Sequence, residues 1–220
     1  MSTHTGKVIA IVAYKGGAGK TLTTVMLGWE AAGRGQRVLI IDLDPSQQSV
    51  EWLELSGMPE KRPLRATYFD AGKYDLAGFV KEVLNTGNHD LILIDTPAND
   101  RDAIAEALDV ADLGIIPVNV GRSDIGMLGT TVKVYERAVR ARPALKGLFL
   151  INQSGFAPSK EAWTLEECNR IETISIFKQR IPLRALYKDA HGRIPARESA
   201  YYSLYAEIDS VLTTQANGAA

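Results

Sequence analysis

The chain has 220 residues, a formal net charge of −1, and is 45% hydrophobic and 23% charged. That length can build one domain with its own core, and the single cysteine, Cys168, excludes an intrachain disulfide framework and any multi-cysteine metal site. The near-balanced charge excludes neither nucleic acid nor protein as a partner, because a local patch can act where the total does not. Met1 to Lys7 is short and polar and does not read as a signal peptide. No apolar run reaches the ~20 residues that span a bilayer.

Val8 to Ala13 is a compact apolar strand signal, followed by a glycine-rich turn and a helix from about Lys20 to Ala32. Gly33 and Gly35 stop that helix. Arg37 to Ile41 is a second buried-type strand ending at Asp42, and Pro59 to Arg65 reads as a mobile surface loop. Leu76 to Leu84 is apolar at Leu76, Phe79, Val80 and Val83, a helical period. Leu91 to Ile94 is a third strand, ending at Asp95, followed by a helix over Asp102 to Val110. Leu113 to Val118 is a fourth strand, and Ile125 to Val139 a helix. Leu148 to Asn152 is a fifth strand, Glu161 to Ile171 a helix, Ser175 to Ile181 a weaker sixth strand, and Ser199 to Leu212 the last helix. Residues 213–220 are small and polar and are expected to fray. Apolar strands alternating with helices imply an α/β fold, a mainly parallel sheet covered on both faces, as one domain over residues 1–220.

Lys15-Gly16-Gly17-Ala18-Gly19-Lys20-Thr21 falls between the first strand and the first helix. In that setting the run is a P-loop. Its glycines allow a tight turn that points backbone amides at phosphate oxygens, and the helix N-terminus adds a positive field. Lys20 can reach the β and γ phosphates, and Thr21 can place its hydroxyl on Mg²⁺. No Gly-x-Gly-x-x-Gly run exists, which excludes the dinucleotide fingerprint. Asp95 ends its strand and can hold Mg²⁺ through a water, or else cap the following helix. Asp42 and Asp44 share a face on a continuing strand, so both can approach the phosphates to order water or metal. If Pro45 sets a turn there instead, the pair serves as a turn cap.

These residues resemble the ParA/MinD group of P-loop ATPases. Lys15-Gly-Gly-x-Gly-Lys-Thr is similar to that group's deviant Walker A motif, marked by the extra lysine, Lys15. Asp42-Leu-Asp-Pro followed by Gln47 resembles its second motif, and Ile94-Asp95-Thr-Pro its Walker B strand. Ala111 to Val118 resembles the next strand, and Asn152 an adenine-contacting asparagine. Arg180-Ile-Pro182-Leu-Arg184 and His191 to Pro195 resemble the segment that closes over the base. The resemblance runs from about residue 7 to 210. It implies the three-layer P-loop NTPase fold, with the nucleotide held by Gly16, Gly17, Ala18, Gly19, Lys20, Thr21, Leu22, Asn152 and Pro182. It implies Mg²⁺ near Thr21, with Asp42 near the metal shell and Asp95 holding it from outside. It also implies an ATP-bound homodimer in which Lys15 reaches the partner's phosphates, and an Asp44 that orients the attacking water. Ala18, Leu22, Ser46 and the single proline of Asp95-Thr96-Pro97-Ala98 depart from the group's usual pattern.

The final Thr214 to Ala220 has no apolar face and no basic residue, so membrane attachment is not expected. Tyr201, Tyr202 and Tyr205 sit at helical spacing and are expected in the core. Short partition ATPases of this group bind DNA without sequence preference as dimers. The candidate DNA contacts are Lys178, Arg180, Arg184, Lys188, Arg193 and Arg197, with Arg137, Arg140, Arg142 and Lys146 as a second set. Such contacts give salt-sensitive binding, and a solvated face is the plain alternative. The expected function is a cytoplasmic, nucleoid-associated partition or positioning ATPase. It would hydrolyse ATP slowly and be stimulated by a cargo adaptor of the ParB kind. Two alternatives are a P-loop switch that positions a protein complex without DNA and a small-molecule ligase of the same superfamily.

Overall fold

The computed structural model describes residues 6–155, 157–194 and 199–216, with backbone alone for Leu186, Lys188 and residues 214–216. Eight strands form one sheet: β1 (Lys7–Ile11), β2 (Val38–Asp42), β3 (Leu64–Tyr68), β4 (Leu91–Asp95), β5 (Leu113–Asn119), β6 (Lys146–Ser154), β7 (Ser175–Ile176) and β8 (Ile181–Pro182). Their order is β3-β2-β4-β1-β5-β6-β7, with β8 also paired to β6, and every pairing is parallel. Parallel neighbours need crossovers, and helices supply them. These are α1 (Lys20–Gly33), α2 (Gln48–Ser56), α3 (Met58–Lys61), α4 (Leu76–Asn85), α5 (Arg101–Val110), α6 (Arg122–Ala141), α7 (Pro158–Asn169), α8 (Ala185–Lys188) and α9 (Ala200–Ala216).

Because successive side chains alternate faces, β1 feeds two cores. Ile9 and Ile11 pack with α1, α2 and α9, while Val8, Ala10 and Val12 pack with α4 to α7. Three layers result. Tyr201 and Tyr205 are buried in the first core, as expected, whereas Tyr202, expected there too, is 56% exposed.

Two expectations are corrected. Pro59 to Arg65 is not one loop: Pro59 to Lys61 belong to α3, and Leu64 and Arg65 open the edge strand β3. Leu64 is fully buried, and Leu64 and Arg65 pair in register with Val38 and Leu39. The stretch Ser175 to Ile181 is not one strand but two short ones. Between them, the amides of Lys178 and Gln179 donate to the Glu207 carboxylate of α9 at 2.9 and 3.0 Å, in place of a neighbouring strand. The helix α9 extends to Ala216, and residues 217–220 lie outside the described set.

Candidate functional site

The carboxyl ends of the central strands converge on the loop after β1. Asp42 of β2 pairs in register with Asp95 of β4, and Asn119 of β5 with Asn152 of β6. Carboxylates therefore flank the loop on one side and amides on the other. The amides brace its backbone: Asn119 Nδ2 donates to Gly17 O at 3.0 Å and Asn152 Nδ2 to Ala18 O at 2.8 Å. Gly19 takes φ 92°, and a Cβ there would lie 2.8 Å from Asn152 Nδ2. Only glycine satisfies both demands. Asn119 escapes a sequence reading because its task depends on strand register.

The loop's two lysines point to different places. Lys20, at the start of α1, is 8% exposed and lines a cavity of about 320 Å³ with Thr21, Asp44, Gln48 and Trp52. Burial pulls its pKa down, and the charges of Asp95 and Asp44 oppose that shift. Lys15 does not line this cavity. Its Nζ donates to Ser123 Oγ at 2.9 Å and pairs with Asp124 at the start of α6.

The acidic residues also separate. The chain turns after Asp42, so Asp42 and Asp44 do not face the same way. Asp42 is fully buried, and its carboxylate accepts the amides of Asp44 at 3.0 Å and Ser49 at 2.9 Å. It therefore caps the entry to α2, the turn-cap alternative. Asp44 lines the cavity, with Oδ1 accepting the Ser46 amide at 2.9 Å. Asp95 is 1% exposed, and burial first, then the charge of Asp42, raises its pKa to about 7. Ser49, Thr21 and Lys20 act in the opposite direction. Its Oδ2 accepts the Ser49 hydroxyl at 2.6 Å, while Oδ1 is buried with no partner.

These residues fit a magnesium ion. An orphaned carboxylate oxygen next to a loop threonine is the sparse donor set that Mg²⁺ uses when phosphates and waters complete its shell. Among the described residues no cluster of three His, Cys, Asp or Glu is placed to hold a metal.

A second cavity of about 200 Å³ shares Gly17, Gly19, Leu22 and Tyr187 with the first. Leu22, Asn119, Asn152, Pro182, Leu183 and Tyr187 line it. Tyr187 and Leu22 wall both cavities, and the sequence does not single out Tyr187. Its hydroxyl accepts the Ala200 amide at 3.0 Å, and its ring meets Tyr201 edge-on at 5.7 Å. His191 closes the phosphate end, 5.3 Å from the Trp52 ring, and Trp52 Nε1 donates to Arg193 O at 2.9 Å.

Of the basic candidates, Arg180 and Arg184 line one cavity. Lys178, Arg184 and Arg193 are exposed, while Arg180 pairs with Glu161. The Lys188 side chain and all of Arg197 lie outside the described residues. Of the second set, Arg137 and Arg140 are exposed. Arg142 donates to Leu108 O at 3.1 Å and Lys146 to Val211 O at 2.9 Å. Among the described residues no helix is long and apolar enough to cross a membrane.

Sheet, loop and carboxylates together define a P-loop nucleotide-binding protein. A family model described as an AAA domain matches residues 6–67. Maintenance of carboxysome distribution protein A from Gloeobacter kilaueensis is 32% identical over 57% of this chain, a match spanning 55% of that relative's length. The sporulation initiation inhibitor protein Soj of Bacillus subtilis is 25% identical over 86% of this chain and 89% of its own. The cell division ATPase MinD of Pyrococcus furiosus superposes with a TM-score of 0.73 at 22% identity, covering 94% of this chain and 99% of that one. These similarities are consistent with the ParA/MinD superfamily of P-loop ATPases.

Proposed function

We propose that the chain is an ATP-driven positioning switch. It binds ATP with Mg²⁺, closes with a second copy into a sandwich dimer, and hydrolyses ATP slowly until a partner protein stimulates it. The observation that carries this proposal is the division of labour between the two lysines. Lys20 projects into the chain's own phosphate cavity, while Lys15 stands at the rim on Ser123 and Asp124. From that rim, Lys15 can be taken over by the phosphates of a second copy.

Gly16 to Leu22 would cradle the phosphates. Asn152 and Pro182 would border the base, and Thr21 and the free oxygen of Asp95 would serve the cation and its waters. When bound, the cation neutralises charge on the β and γ phosphates. Asp44, on the cavity wall, orients a water in line with the γ phosphate, and phosphate leaves as ADP forms. Lys20, and Lys15 from the partner, meet the negative charge that grows at the bridging oxygen. Positioning and charge supply the rate, so the unaided rate is low and a partner can raise it.

The dimer would bind DNA without sequence preference through Lys178, Arg184 and Arg193, with Arg180, Lys188 and Arg197 as further candidates, and so associate with the nucleoid. DNA retention measured with ATP, with ADP and without nucleotide tests this. Retention is expected with ATP alone and is expected to weaken steeply with salt. Equal retention in all three states, or none in any, overturns the DNA-binding part. A second reading, a switch for a protein cargo without DNA, draws support from the ion pair that engages Arg180. The name of the carboxysome-distribution relative supports it too. ATP-dependent dimerisation with no DNA retention at low salt is its signature.

A further inference from the structure

Three buried polar groups meet where α2 begins. Ser49, Asp42 and Asp95 are 0%, 0% and 1% exposed. The Ser49 amide donates to Asp42 Oδ2 at 2.9 Å, and the Ser49 hydroxyl donates to Asp95 Oδ2 at 2.6 Å. Asp95 Oδ1 is left without a partner. A buried carboxylate oxygen with no donor is costly, and here it lies on a group that also interacts with Thr21 and Lys20. The same helix carries Gln48 and Trp52 to the wall of the phosphate cavity.

We propose that Ser49 is the positioning residue of the metal-side carboxylate, holding Asp95 by one oxygen so that the other is presented to the cation's shell. The proposal rests on the function proposed above, in which Asp95 serves Mg²⁺. The hydroxyl does three things. It stabilises the ionised carboxylate, the form a cation requires, and it fixes the carboxylate plane. It also ties that carboxylate to α2, so a cation pulling on Asp95 pulls on the helix that bears Gln48 and Trp52. Ser49 touches neither nucleotide nor reacting atoms in this scheme and acts through Asp95.

The test compares ADP affinity in EDTA with ADP affinity in excess Mg²⁺; the ratio is the magnesium enhancement. Ser49→Ala is expected to lower that ratio about tenfold, the loss of one charge-assisted hydrogen bond. In an Asp95→Asn background the same substitution is expected to change the ratio by no more than about twofold, because the two residues act as a unit. Thermal unfolding checks that each variant is folded. Should Ser49→Ala not fold, Ser49→Cys keeps the volume with a weak donor and is expected to show the same loss. An unchanged ratio in the folded variant overturns the proposal, as does an equal loss in the Asp95→Asn background. A wild-type protein with no magnesium enhancement removes the metal site itself and the proposal with it, a result distinct from a failure confined to Ser49.

Discussion

Asp42 and Asp95 lie side by side on neighbouring strands in a dry part of the molecule, and burial first, then the charge of Asp42, lifts Asp95 to about 7 from its ordinary 3.8. The folded state therefore holds the Asp95 proton more tightly than the unfolded chain does. Its contribution to stability is fully present below about pH 4 and is lost as pH rises through about 7. In EDTA, Asp95→Asn is expected to be more stable than wild type at pH 8 by up to about 4 kcal/mol, with the gap closing below pH 4. Urea unfolding across that range measures it, and Mg²⁺ with nucleotide should restore the wild type. Gly19→Ala forces a left-handed backbone and a contact with Asn152, so a loss of about 1 kcal/mol or more is expected, together with loss of nucleotide binding. Lys20, Thr21 and Asp95 were legible in the sequence because a phosphate loop announces itself between an apolar strand and a helix. Asn119 and Ser49 were not. Each works across the sheet, Asn119 on Gly17 and Ser49 on Asp95, and no local pattern records a partner that far away in sequence. The sharing of a face by Asp42 and Asp44 assumed a strand that ran on, whereas β2 stops at Asp42.

At the scale of elements, the central strands were legible because strands buried on both faces read as continuous apolar runs. The edges were not. The strand β3 buries only Leu64 fully and carries the exposed Arg65 as its second residue, so Pro63 and its neighbours imitate a loop. The helix α2 buries Ser49, Trp52 and Leu53 and exposes the hydrophobic Leu55, which blurs its period. Where β7 gives way to β8, order comes from a side chain of a distant helix. Glu207→Ala is expected to leave two amides without their acceptors and to cost about 1–2 kcal/mol. Because β8 carries Pro182 to the base cavity, the same variant should also weaken nucleotide binding several-fold, and calorimetry with ADP reads both effects. Unchanged stability would mean that this crossing holds itself without α9.

For the whole molecule, the parallel sheet gathers the loop, the acidic strand ends and the base-side amides at one edge, while Lys15 sits at the rim rather than in the cavity. A second copy meeting this edge would exchange Lys15's contact with Ser123 and Asp124 for phosphate. Asp44→Ala should keep nucleotide binding and lose hydrolysis, so that the dimer persists; a hydrolysing variant would remove the water-orienting role. The most direct measurement is solution mass by light scattering with Mg²⁺ and ATP for the wild type, Lys15→Ala and Asp44→Ala. The wild type is expected to form a dimer that decays as ATP is spent, Lys15→Ala to stay monomeric, and Asp44→Ala to stay dimeric. A wild type that remains monomeric with ATP, or a Lys15→Ala variant that dimerises as the wild type does, would contradict the shared-site switch.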